Sequence, residues 1–146
     1  MEIEKNESEY NMIDWFKKVV FKNYANFEGR ARRSEYWYFT LISVILVLLY
    51  FAIGIIFVGF IEIEALAPIL SGLAILTYLG LLIPSLAVAV RRLHDTGKSG
   101  WFFLIGFVPF GGIVLIVFYA TDGDPGTNKW GANPKEIQNP NVDFFE

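Results

Sequence analysis

The chain has 146 residues, of which 54% are apolar, 17% aromatic and only 18% charged, with a formal net charge of −3. That length holds one domain, and little is left for a second globular core once the long apolar stretches are set aside. Cysteine is absent, which excludes disulfides and thiolate chemistry, and nothing in the composition suggests a nucleic-acid partner.

Residues 1–10 are acidic and polar and are expected to be disordered. Next, Met12, Phe16, Val19, Val20, Tyr24 and Phe27 recur at three- or four-residue spacing, with Lys17, Lys18 and Lys22 mostly between them. The spacing predicts an amphipathic helix over about 11–27. Two placements fit it: flat on the cytoplasmic membrane surface, where anionic lipids attract lysine, or packed against the protein itself.

Phe27, Gly29, Arg30, Arg33, Glu35, Tyr36, Trp37 and Tyr38 lead into the first long apolar stretch, Tyr36 to Ile61. Aromatic rings suit headgroup depth, arginines fix orientation, and Gly29 lets the chain turn from an in-plane helix into a crossing one. The functional alternative is a clamp in which paired guanidinium donors hold a lipid phosphate. A bilayer core about 30 Å thick needs roughly 20 apolar residues, and three stretches meet that length: Tyr36 to Ile61, Ala65 to Val90 and Ser99 to Thr121. Spans are therefore expected over about 36–60, 66–90 and 101–120. The first lies too far along the chain for a cleavable signal and is expected to remain in the mature protein. Pro84, within the second, frees the Gly80 carbonyl, which a neighbouring helix must cover.

Between the second and third stretches runs Arg91-Arg92-Leu93-His94-Asp95-Thr96-Gly97-Lys98-Ser99-Gly100-Trp101, read as a polar turn. Unlike charges beside a low-dielectric boundary attract strongly, so Glu35 is expected to pair with Arg91 or Arg92, and Asp95 with Arg30 or Arg33. His94 and Asp95 are neighbours on a helix and point about 100° apart, which does not make a dyad. One histidine and no cysteine leave no metal site to expect, and no cofactor is expected.

Within the third stretch, Pro109-Phe110-Gly111-Gly112 marks a rival topology, a re-entrant hairpin that returns the tail to the side it left. The tail from Asp122, rich in Asp, Asn, Gly and Pro, should form successive turns, and it fails the calcium-loop pattern at Gly126 and Thr127. Lysine and arginine fall before the first stretch and between the second and third, while the first loop, around Glu62 and Glu64, has none. With three spans this places the N-terminus in the cytoplasm and the tail outside.

Three strings carry a resemblance: Phe-Glu-Gly-Arg-Ala-Arg-Arg-Ser-Glu-Tyr-Trp-Tyr from Phe27, Arg-Arg-Leu-His-Asp-Thr-Gly-Lys-Ser-Gly-Trp from Arg91, and Asp-Gly-Asp-Pro-Gly-Thr-Asn-Lys-Trp-Gly from Asp122. In order, spacing and content they resemble the signatures of the domain-of-unknown-function 805 family, the YhaH-like small bacterial inner-membrane proteins. The likeness runs from about Trp15 to Pro134, and the third signature commonly carries another residue at Lys129 or Trp130. It implies a bacterial cytoplasmic membrane location and a multi-span helical fold, and no activity.

The expected protein is thus all-α: three transmembrane helices preceded by an amphipathic interfacial helix, in a single membrane domain over 11–134, with a polar tail over 135–146. Its candidate site is a cytoplasmic cluster of Arg30, Arg33, Glu35, Arg91, Arg92, His94, Asp95 and Lys98, read as a contact for anionic lipid or a membrane protein partner. The spans themselves lack Asp, Glu, Lys, Arg and His, which speaks against a proton- or ion-coupled carrier, and the leading reading is a non-enzymatic scaffold or accessory subunit. A channel or transporter component built by homo-oligomerisation, and an enzyme acting on a lipid headgroup through His94 and Asp95, stand as alternatives.

Overall fold

A computed structural model describes residues 6–61 and 64–136, and its regular structure there is helical apart from one isolated bridge between Asn128 and Gly131. The first five residues of the expected disordered start, Glu62 of the first loop, and most of the expected polar tail lie outside the described residues.

Just inside that range Glu7–Glu9 forms a short 3-10 turn whose Nα end is capped by the Asn6 side chain. Ion pairing holds the turn, because Glu7 Oε1 accepts from Lys18 Nζ at 2.6 Å. Helix α1 (Met12–Lys17) starts in a capping box, in which Asn11 and Asp14 each accept from the other's backbone N–H at 3.0 Å. It continues as a wider π turn over Lys18–Lys22 and stops there, short of the expected 27. Trp15 and Val19, one turn apart, are its buried pair, while Ile13 and Phe21 point outward with Lys17.

Helix α2 (Arg33–Gly54, continued by a π turn over Ile55–Phe60) and helix α3 (Leu66–Asp95) are both long and apolar enough to cross a membrane. Outward on α2 stand Leu41, Val44, Leu48, Phe51 and Ile55, a greasy stripe that in water would have no solvent to suit it. Tyr50 and Thr77 join the two helices by a 2.9 Å hydroxyl hydrogen bond. The expected gap at Pro84 is covered: the Tyr24 hydroxyl donates to the Gly80 carbonyl at 2.8 Å. The segment after α1 packs against α2 and α3 through Val19, Phe39 and Val88. The helix is therefore packed on its own protein along that face.

Both long helices extend further at the charged end than the apolar runs suggest. α2 begins at Arg33, ahead of the first aromatic residues, and α3 runs one turn past Val90, so Arg91, Arg92, His94 and Asp95 are helical rather than a loop. α3 ends in a Schellman cap, with Gly97 at φ +70°, Gly97 N–H donating to the His94 carbonyl and Lys98 N–H to that of Leu93, each at 3.0 Å.

The third apolar stretch does not form the single crossing helix expected of it. It folds as a hairpin, a 3-10 helix over Gly100–Phe107 followed by helix α4 (Gly111–Ala120). Eight residues at a 3-10 rise and ten at an α rise give arms of only about 15 Å, half a bilayer core. The turn is built by Val108 N–H donating to the Ile105 carbonyl, Gly111 N–H to that of Val108, and Phe110 at φ +64°. Gly111 has no alternative residue, since a Cβ there would overlap the Ile105 carbonyl. Phe102 packs edge-on against Phe118 across the arms, and both ends of the hairpin return to the charged end of α3.

Candidate functional site

At that end three separated pieces of chain meet: residues 29–35, the last turn of α3, and the end of α4 running on into the tail over 121–134. Arg92 is their hub, fully buried. Its Nε donates to the Tyr119 carbonyl at 3.0 Å, Nη1 to Ala31 and to Asp95 Oδ2, and Nη2 to the Thr121 carbonyl. Asp95 takes Arg30 Nε on its other oxygen at 2.9 Å, while its backbone carbonyl accepts from Asp124 N–H at 2.8 Å. Arg30 in turn donates to the carbonyls of Gly126 at 2.7 Å, Gly131 at 3.3 Å and Asp124. A guanidinium presents five donors in a fixed fork; Arg30 spends its two terminal nitrogens chiefly on main-chain oxygens of the tail, and Arg92 spends its donors on the carbonyls of Tyr119, Ala31 and Thr121 and on Asp95.

A second chain of charges runs sideways. Arg91 Nη1 donates to Glu35 Oε1 at 2.6 Å, Lys18 Nζ sits 2.9 Å from Glu35 Oε2, and Lys18 also holds Glu7, whose other oxygen is 3.3 Å from Arg32 Nε. Glu35 is 1% exposed and stands in the first turn of α2, where the helix dipole favours a carboxylate. Ion pairs this buried stabilise only when both members are present, because either one alone is an uncompensated charge away from water.

The expected pairs form: Glu35 with Arg91, and Asp95 with Arg30, Arg92 joining the latter. Arg33 goes elsewhere, to Asp122 at 2.9 Å on the surface. Arg33 holds the exposed Asp122 carboxyl below its ordinary 3.8, by hydrogen bond and by charge, with Lys135 adding to the effect. Lys98 lies over the Phe118 ring at 4.5 Å and donates to the Thr96 carbonyl. His94 and Asp95 make no dyad, since the histidine's Nδ1 lies 3.1 Å from the Gly29 carbonyl and both Asp95 oxygens are taken by arginines.

The three-span expectation, unlike the rival hairpin, places the tail elsewhere. Expected on the far side of the membrane, it lies against the cluster: Asn128 donates to the His94 carbonyl at 3.0 Å, Trp130 stacks on the His94 ring at 3.6 Å, and Arg32 reaches the Pro134 carbonyl. The hairpin is the physical reason, because it delivers Thr121 to the side that Ser99 left. Lys18 was also missed as a partner of Glu35.

An all-helical chain with two long apolar helices, braced at one end by a buried ion-pair network, is built as an integral membrane protein. The chain belongs to the family described as "Protein of unknown function (DUF805)", whose family model matches residues 24–132. Among curated proteins it is similar to Inner membrane protein YhaI of Escherichia coli, at 44% identity over 124 residues covering 84% of this chain and 97% of that protein. Inner membrane protein YhaH of the same organism is 40% identical over 126 residues, 84% of this chain and 98% of that protein. No solved structure matches the chain significantly.

Proposed function

We propose that this protein crosses the cytoplasmic membrane twice, dips into it a third time as a re-entrant hairpin, keeps both described ends on the cytoplasmic side, and serves there as a non-enzymatic scaffold or accessory subunit. The observation that carries the reading is the self-consumption of the charged cluster. Arg30, Arg92 and Asp95 hold one another and the tail, and Glu35 is taken by Arg91 beside them, so the cluster works as an internal lock that presents the tail over 122–134 as a fixed cytoplasmic platform for a partner. Anionic lipid is then met by the exposed rim, Lys17, Lys22 and Arg33, rather than by the buried arginines.

Positive residues flank this end of α2 and α3, whereas the opposite loop carries Glu64, which supports the cytoplasmic placement. The outward faces of α2 and α3 are apolar and suit lipid contact rather than a polar path between protomers. In nanodiscs of mixed lipid, the purified protein should gather phosphatidylglycerol over phosphatidylcholine. Replacing Lys17, Lys22 and Arg33 together by glutamine should remove that preference while the melting transition stays in place. An unchanged preference would refute the rim as the lipid contact.

A further inference from the structure

Burial on the two long helices is confined to one end. On α3 the buried residues all lie from Pro84 onward, and on α2 they are Glu35 and Phe39. From Thr40 along the rest of α2, and from Leu66 to Ile83 along α3, no described residue is buried. In that half the two helices hold each other through the hydrogen bond between Tyr50 and Thr77.

The other elements gather at the charged end. Val19, in the π turn after α1, packs on Phe39 and Val88, while Phe103 of the 3-10 helix and Leu115 and Tyr119 of α4 pack with Ala89 and Leu93. A helix is a rod about 10 Å across, so the charged half holds five rods, α1, α2, α3, the 3-10 helix and α4, where the other half holds only α2 and α3. Glycine thins the narrow half further, since Gly54, Gly59 and Gly72 lie in it and a Cβ added at any of them would meet nothing within 4 Å. The step between the halves is open: a cavity of about 590 Å³ is lined by Phe103 and Leu115 of the hairpin together with Val47 and Phe51 of α2 and Thr77 of α3.

Lipid tails close around whatever protein stands in each leaflet. A body that takes more area in one leaflet than in the other forces the tails of a flat bilayer to tilt and stretch, at a cost in free energy. Bending the membrane relieves that cost when the crowded leaflet lies on the convex side, where its area is larger.

We propose, on the basis of the two-crossing topology above, that this protein is a wedge that favours membrane bent with the cytoplasmic leaflet convex. The partner it fits is the curved lipid surface itself. Exposed rim charge chooses among headgroups, whereas the taper chooses among shapes.

Narrow tubes drawn from giant phosphatidylcholine vesicles that hold the full-length protein test it, because the outer leaflet of a tube is convex. Reconstitution leaves both orientations in one membrane, and a thiol dye that does not cross lipid selects between them. On Lys129→Cys it marks molecules with the cytoplasmic end outward, and on Glu64→Cys those turned the other way. Relative to a lipid dye, the first population should be enriched about threefold in the tube, a bias of the order of RT, and increasingly so as the tube narrows. The second population should be depleted. Widening the narrow half with Gly54→Trp, Gly59→Trp and Gly72→Trp together, into the open space around those positions, should lower the enrichment. Slimming the hairpin with Phe107→Ala and Phe110→Gly should lower it as well, glycine being suited to the φ of +64° at that turn, so the test does not depend on one variant folding. Equal partition of the two orientations, the reverse order, or enrichment unmoved by either set of substitutions in folded protein would overturn the wedge alone. Labelling of Lys129→Cys from the same side as Glu64→Cys in intact cells would instead overturn the topology, and the wedge with it.

Discussion

Arg92 shows how one residue is made indispensable by the oxygens around it. Four acceptors from three parts of the chain converge on its guanidinium, three of them backbone carbonyls, of which only that of Tyr119 has a second side-chain donor, Trp37 Nε1 at 3.3 Å. Arg92→Met should destabilise the protein by about 3–5 kcal/mol, because it strands Asp95 with one arginine partner and takes the guanidinium donor from the Ala31 and Thr121 carbonyls. Arg92→Lys should recover little, since an ammonium cannot reproduce the fork. Thermal unfolding in detergent measures both. Asp122 gives the opposite case, an exposed ion pair whose contribution is small and titrates. Its pKa in the folded protein lies below the ordinary 3.8, so the pair's contribution is fully present above that value and is lost as the pH falls through the lowered one. Hydrogen exchange in the stretch after Thr121 should therefore quicken only in strong acid, and Asp122→Asn should abolish that dependence. Pairs such as Glu35 with Arg91 were readable in the sequence because both members are side chains with a charge. The Arg30 and Arg92 contacts to the tail were not, since a backbone carbonyl carries no residue identity to search for.

At the scale of elements, the same apolar composition produces a helix long enough to cross a membrane in one place and a hairpin in another. Length and hydropathy do not separate them, and only the turn chemistry around Pro109 and Gly111 does. Gly111→Ala should cost several kcal/mol, about the scale of an overpacked core with a displaced backbone, because the added methyl would occupy the Ile105 carbonyl's position. Gly112→Ala, whose Cβ would meet nothing within 4 Å, is the matched control in the same melting experiment. The Pro84 break obeys a rule that composition does reveal, for a carbonyl freed within an apolar helix needs a donor. Tyr24→Phe should cost about 1 kcal/mol by removing that donor. In a Pro84→Ala background, where a backbone N–H returns to the helix, the same change should cost distinctly less. Equal losses in the two backgrounds would mean that the hydroxyl has no special tie to the gap.

For the whole molecule, the lock and the hairpin together fix which surfaces share a side. The tail is tied to Arg30 and the last turn of α3, whereas the link between α2 and α3 lies at the far ends of two helices long enough to cross. The natural absence of cysteine makes this testable without a background signal. Single cysteines at the exposed positions Lys17, Glu64 and Lys129 can be probed in intact cells and in broken membranes with a thiol reagent that does not cross lipid. Glu64→Cys should label in intact cells, and Lys17→Cys and Lys129→Cys only after the membrane is opened. A three-span arrangement predicts instead that Lys129→Cys labels together with Glu64→Cys. The outcome also bears on the platform, since a tail on the far side of the membrane could not receive hydrogen bonds from Arg30, and a tail on the near side needs those bonds to stay in place. Arg30→Gln should accordingly leave the labelling side of Lys129→Cys unchanged but increase its rate, as the tail loosens from the lock while the hairpin still returns it to the same face.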